Sequence, residues 1–265
     1  MEENDSLACV GLDPDPTKIP VDISGKEGLR VLNFLNEVIS ITAPGVCCYK
    51  AQKAFFDRLK GGSKILKEVI GIIHDKYPAL PVFIDCKIGD TDNTMDAYLD
   101  NLFGNIDVDG VVINPYMGDE VVSPFSGYPE KAGIVLVKTS NPGSAIIQDA
   151  LMQDGRPFWE YVLDLVVNRW NTKGNLIPVI SSTANLDLAY VRSLIPDDMP
   201  ILFAGFGEQG GDSGSLSMLL NSTGMGVFVN SSRGILYPYQ PDSKDWRQAI
   251  QQSLATMNQQ LNSQR

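Results

Sequence analysis

Short apolar, β-branched runs alternate with longer stretches of helical period from one end of the chain to the other. Runs at Leu7–Asp13, Val46–Ala51, Pro81–Lys87, Gly110–Pro115, Gly133–Thr139, Leu176–Ser182, Pro200–Gly205 and Gly226–Ser231 predict eight strands. Amphipathic periods predict helices near residues 28–43, 62–77, 93–104, 118–124, 157–171, 185–195, 213–223 and 242–262. Strict strand–helix alternation means βαβ units and a parallel sheet, and eight units is the number that closes a (β/α)8 TIM barrel in the α/β class. A doubly wound open sheet is the alternative. Against it, Gly11-Leu-Asp-Pro-Asp-Pro16 stands after the first strand, where a dinucleotide fold needs Gly-x-Gly-x-x-Gly. No linker-like or low-complexity stretch divides the chain, so a single domain over residues 1–265 is expected.

Composition narrows the partners. With 43% hydrophobic residues among 265, the chain can bury a full core. A net charge of −11 disfavours nucleic acid and anionic membrane surfaces, both of which reward an excess of Lys and Arg. A small anionic ligand remains compatible if positive charge is concentrated in one pocket. The Met1-Glu-Glu-Asn-Asp5 start lacks the basic and apolar regions of a secretory signal, and the apolar runs are too short to span a bilayer. Cys9, Cys47, Cys48 and Cys86 lie in apolar runs without metal-ligand spacing and read as buried free thiols. A cytoplasmic protein is expected. The single histidine, His74, reads as a solvated helix end, and its solitude argues against His-based triads and His-rich metal sites. The chemistry then falls to Lys, Asp, Glu, Ser, Thr or backbone groups.

In a barrel of this kind the reactive groups close the strands at the C-terminal face. Here the strand ends deliver Asp13, Lys50, Asp85-Cys-Lys87-Ile-Gly-Asp90, Asn114, Thr139-Ser140-Asn141 and Asn230-Ser-Ser-Arg233 to one rim. Asp85 and Lys87 are two apart on a strand and share a face, with Cys86 opposite. Lys50 reaches the same mouth from the neighbouring strand. Spacing alone leaves two readings, a reactive charge array or a structural ion pair plugging the barrel. Two lysines with two or three aspartates exceed what a plug needs.

A second constellation fits a phosphate. Glycine-rich backbone after the seventh strand, Gly205–Gly211, offers free N–H groups, and Arg233 after the eighth offers a bidentate partner. Five glycines from Gly205 to Gly214 also allow this segment to close as a lid.

Together these residues resemble the orotidine 5′-phosphate decarboxylases, in the form typical of their second bacterial sequence group. The resemblance runs from Val10-Gly-Leu-Asp-Pro-Asp-Pro16 to Ser232-Arg-Gly-Ile235. Its most specific element is Asp85-x-Lys87-x-x-Asp90 followed by Asn93-Thr94, with Lys50 one strand earlier. Asn114-Pro-Tyr-Met-Gly118, Thr139-Ser-Asn-Pro-Gly143 and Gly207-Glu-Gln-Gly-Gly-Asp212 look like further signatures of the group. The resemblance implies conversion of orotidine 5′-phosphate to uridine 5′-phosphate and carbon dioxide without metal or organic cofactor. It implies Lys87 as proton donor and carbanion stabiliser, with Asp85 beside the departing carboxylate. Lys50 and Asp90 would complete the array and touch ribose hydroxyls, as would Asp13. Ser140 would read the pyrimidine edge, Gln209 would bridge base and phosphate, and Arg233 would hold the phosphate. The positions of Asp90 and Thr94 further imply a homodimer with shared active sites.

Three departures stand out: Ile88 where many members have Arg, Thr91 where Ile is usual, and Ser182-Thr-Ala-Asn185 in place of Ala-Thr-x-Pro. Thr91 is expected to make an apolar wall more polar. Two rival functions share the fold. Magnesium-dependent sugar-phosphate decarboxylases and synthases carry an acidic metal ligand where this chain has Lys50, and a lysine there repels a divalent cation. A non-catalytic nucleotide-binding barrel would bind uridine 5′-phosphate without turnover.

Overall fold

Parallel strands are covered on both faces, so they need unbroken apolar runs rather than alternating ones. That demand is met in the computed structural model, which describes residues 1, 4–182, 186–205 and 213–265. Eight strands, β1 (Ala8–Gly11), β2 (Cys48–Gln52), β3 (Val82–Ile88), β4 (Gly110–Ile113), β5 (Ala132–Lys138), β6 (Leu176–Ser181), β7 (Ile201–Ala204) and β8 (Val227–Ser231), follow one another around a closed barrel. Every pairing is parallel, and β1 closes the ring against β8. The (β/α)8 expectation holds, and the open-sheet alternative falls.

The helices wrap the barrel with their apolar stripes inward. Helix α1 (Glu27–Thr42) buries Val31, Phe34, Leu35, Val38, Ile39 and Thr42, a continuous face at helical spacing. Short α2 (Lys53–Asp57) follows β2, and α3 (Gly62–Lys76) buries Ile65, Leu66, Val69, Ile70 and Ile73. Beyond β3 come α4 (Asp92–Leu99), which widens into a π-helical stretch to Ile106, and α5 (Asp119–Val122). Helices α6 (Ala145–Gln148) and α7 (Phe158–Leu165) follow β5, and α8 (Leu188–Ser193) follows β6. After β7 the expected helix near 213–223 is a 3₁₀ turn over Ser213–Met218. Last are α9 (Arg233–Leu236) and α10 (Trp246–Asn262), which buries Trp246, Ile250, Leu254, Met257 and Leu261.

Packing separates into two layers. Most buried residues lie between sheet and helices. A smaller cluster fills the barrel: Cys9, Cys47, Cys48, Phe83, Val112, Ile134, Ile177, Val179, Leu202 and Phe228. Phe83 and Phe228 meet edge to face with centroids 5.7 Å apart and plug the lower half, which leaves the upper half for polar groups. All four cysteines are free, and three are buried. Burial lifts the half-buried Cys86 thiol to about 11, so it stays protonated at neutral pH.

His74 needs a correction. It closes α3 but is not merely solvated, because its Nε2 lies 3.0 Å from Asp109 Oδ2, which also accepts the Val82 backbone N–H at 2.8 Å. Asp109 precedes β4 and ties it to the start of β3. This network lies at the N-terminal mouth, away from the strand ends that carry the candidate chemistry.

Candidate active site

The C-terminal mouth opens into a cavity of about 340 Å³, lined by residues from seven of the eight strands and the loops that follow them. That volume falls within the roughly 300–1,000 Å³ common for small-molecule clefts. Its floor is apolar, from Val112, Leu136, Val179 and Leu202, with Asn230 as a polar exception. Its walls carry Asp13, Lys50, Asp85, Lys87, Ser140 and Arg233.

Asp85 is the hub of the charged wall. Lys50 Nζ lies 3.3 Å from Asp85 Oδ2, and Lys87 Nζ donates to both oxygens at 2.7 and 2.8 Å. Lys50 and Asp85 are nearly closed to solvent, with side chains 7% and 12% exposed, whereas Lys87 is 45% exposed and free to face a ligand. Burial alone would lower the Lys50 pKa. The Asp85 and Asp13 carboxylates outweigh it and hold the ammonium above its ordinary 10.5. Burial likewise pushes Asp85 up, and Lys50 and Lys87 more than reverse the push, leaving its carboxyl below the usual 3.8. At neutral pH Lys50 and Asp85 therefore face each other as a charged pair.

The backbone route to this pairing is not the simple alternation that the sequence suggests. Strand β3 pairs with β4 at Asp85–Val112 and next at Ile88–Ile113, so two residues bulge between them. Lys87 sits in that bulge with φ at +46°, a left-handed conformation costly for a side chain with a Cβ. The pair expected from spacing forms, but a strained bulge rather than a regular pleat aims Lys87 at Asp85.

Asp13 is held by its neighbours. Its Oδ1 accepts the Gln52 backbone N–H at 3.2 Å, and its carbonyl accepts from the Tyr237 hydroxyl at 3.3 Å. Tyr237 in turn accepts the Asp15 N–H at 2.7 Å and stacks on Phe34 with centroids 5.7 Å apart. On the adjoining strand, which pairs with β1, Ser231, Ser232, Arg233 and Gly234 line the cavity where β8 passes into α9. Gly11 makes room for this corner: a Cβ there would lie 1.8 Å from Ser232 Oγ.

Not every expected residue joins the cavity. Asp90 and Thr94 are absent from its lining. Asp90 Oδ1 instead accepts the Thr91 backbone N–H at 2.8 Å, and Thr94 is exposed on α4. The four-membered array is thus three-membered within one chain. Thr91 lies outside the lining too, so the expected change to an apolar wall does not occur in the cavity of its own chain. Ile88 packs against the helix-facing core. Gln209, with most of the glycine-rich segment and Thr183–Asn185, falls outside the described residues.

Phe55 also lines the cavity, and the sequence did not single it out. It stands on α2, a helix too short to show a period. Asn230, expected at the end of the eighth strand, lies two residues beyond the inward Phe228 on β8 and reaches the cavity floor.

Comparison with known proteins gives a consistent likeness. A family model described as "Orotidine 5'-phosphate decarboxylase / HUMPS family" matches residues 6–244. The orotidine 5′-phosphate decarboxylase of Cupriavidus metallidurans is 40% identical over 237 residues, covering 89% of this chain and 86% of its own. That of Ralstonia pickettii is 37% identical over 259 residues, covering 97% and 94%. Among solved structures, the OMP decarboxylase of Leishmania donovani superposes with a TM-score of 0.83 at 31% identity, covering 99% of this chain and 96% of that one.

Proposed function

Because this chain belongs to the orotidine 5′-phosphate decarboxylase family, we infer that its barrel mouth performs that reaction with Lys87 as the proton donor. The enzyme is a carboxy-lyase of pyrimidine biosynthesis, converting orotidine 5′-phosphate to uridine 5′-phosphate and carbon dioxide. The observation that carries the assignment of roles is Asp85 held between two lysines, one sealed and one open to the cavity.

The bond between pyrimidine C6 and the carboxylate carbon breaks, its electron pair stays on C6, and carbon dioxide leaves. The Lys87 ammonium stabilises that pair by its fixed charge and then transfers a proton to C6. Solvent returns the proton to Lys87. Asp85, kept ionised by its two lysines, places negative charge beside the substrate carboxylate and fixes the Lys87 ammonium. Lys50 neutralises Asp85 from the sealed side, so the wall tolerates an anion.

Ser140 stands at the base end of the cavity and Asp13 at the ribose, while Arg233 holds the phosphate with the backbone around Gly234. Gln209 bridges base and phosphate. Asp90 and Thr94 serve the second site of a homodimer, a role supported by their absence from the cavity of their own chain. Tyr98, Tyr116 and Met117, 44%, 74% and 49% exposed after β3 and β4, suit a surface covered by the second copy. Among the described residues, no helix is long and apolar enough to cross a membrane, and we place the enzyme in the cytoplasm.

The deciding experiment follows the loss of orotidine 5′-phosphate absorbance on adding chelator-treated protein. Turnover without added metal supports the assignment. Turnover only with magnesium, or uridine 5′-phosphate binding with no turnover, transfers it to one of the two rivals.

A further inference from the structure

Lys138 closes β5 with its side chain 5% exposed, yet it is absent from the cavity lining. Desolvating an ammonium is costly unless it is paired, so a lysine in this position needs a dedicated partner. Asp149 supplies it, accepting from Lys138 Nζ at 2.5 Å. One residue inward, the Thr139 backbone N–H donates to Gln148 Oε1 at 3.0 Å, and Gln148 Nε2 donates back to Thr139 Oγ1 at 3.0 Å. These two rungs, 138 to 149 and 139 to 148, cross the base of one excursion of the chain. Inside it, the Ser144 hydroxyl donates to the Thr139 carbonyl at 3.3 Å, and the Ser144 N–H donates to the Asn141 carbonyl at 2.9 Å. Ser140 projects from the inner limb to line the cavity, and Ile146 and Ile147 stand outward, 82% and 54% exposed.

We propose that the Lys138–Asp149 pair, sealed on its lysine side, is a positioning element for decarboxylation, latching the neck of the 140–147 excursion so that Ser140 is held at the base end of the cavity. The inference rests on the assignment of Ser140 to the pyrimidine made above. An excursion with an open neck must lose chain entropy each time it orders on a ligand. A neck closed beforehand leaves only the short arc between the rungs to settle. The latch thus contributes to the affinity for the base and to its alignment with Lys87, without touching either. The β5 strand anchors one half of the latch, because Lys138 follows a shift of register against β6 and pairs there with Ile180.

Calorimetric titration separates this role from general damage. Uridine 5′-phosphate and ribose 5-phosphate are titrated into wild type, Lys138→Met, Asp149→Ala and Asp149→Glu. Loss of the latch should weaken uridine 5′-phosphate by about tenfold in the first two variants while ribose 5-phosphate changes by less than about twofold. Asp149→Glu, which keeps the charge at a half-exposed position, should restore the affinity. Equal weakening of both ligands, or no weakening of either, overturns the proposal. If Lys138→Met does not fold, Asp149→Ala decides, since the altered side chain is 46% exposed. Wild-type protein that fails to turn over orotidine 5′-phosphate would sink the functional assignment instead, independently of the variants.

Discussion

Lys50 and Asp85 form one ion pair, yet removing either partner carries a different cost. The Lys50 side chain is 7% exposed, and its direct ionic contact among the described residues is Asp85. Asp85 has a second partner, Lys87 at 2.7 Å, which reaches solvent. Asp85→Asn therefore leaves a sealed ammonium beside a neutral amide. Breaking a buried pair in this way costs about 3–5 kcal/mol. The Asp13 carboxylate also acts on Lys50, and the asparagine oxygen can still accept, so about 3 kcal/mol is expected. Lys50→Met removes the buried charge itself and leaves Asp85 paired with Lys87, which should cost about 1–2 kcal/mol. In a chain of this size those losses lower the melting temperature by about 6–12 °C and about 2–8 °C.

The two variants also differ in pH dependence. With Asp85 neutral, burial dominates Lys50 and its folded pKa drops below the unfolded 10.5. The penalty is then present at neutral pH and fades as pH rises through the unfolded value, where Lys50 is uncharged in both states. Urea unfolding followed by circular dichroism at about pH 7 and about pH 10 measures both effects. Equal losses for the two variants, or a gap between Asp85→Asn and wild type that does not narrow at the higher pH, would refute this account of the array.

Wild-type stability should plateau across neutral pH, as urea unfolding over an acid-to-base series will show. The Asp85 contribution is present above 3.8 and lost as pH falls through its depressed folded value; the Lys50 contribution is present below 10.5 and lost as pH rises through its elevated one. Since Lys87 holds φ at +46°, Lys87→Gly should be more stable than Lys87→Ala by about 1 kcal/mol in the same unfolding assay. Mixing inactive Lys87→Ala and Asp90→Ala chains should restore about a quarter of wild-type turnover, because half of randomly paired dimers then hold one complete site of two. No recovery on mixing would remove Asp90 from the partner's site.

The barrel was legible because its strands are buried on both faces, so eight apolar runs stood out against the helical periods between them. Helices α2, α6 and α9 were not, since four or five residues are too few to display a period. All three lie in loops at the reactive mouth, where tertiary contacts rather than propensity fix the backbone. Asp85 and Lys87 were found by alternation, though a bulge brings them together. Asp90 belongs to the same motif, but the chain leaves the strand at Ile88 and carries it away from the cavity. Lys138 escaped notice because it ends an apolar run and its partner lies well along a polar loop. No local spacing signals such a pair.

Turnover by Lys87→Ala tests the central assignment most directly, with folding verified by circular dichroism and orotidine 5′-phosphate absorbance as the readout. Loss of decarboxylation by many orders of magnitude, with uridine 5′-phosphate still bound, is the predicted result. Near-normal turnover by the folded variant would contradict it, because no other group would then be needed to stabilise and protonate C6.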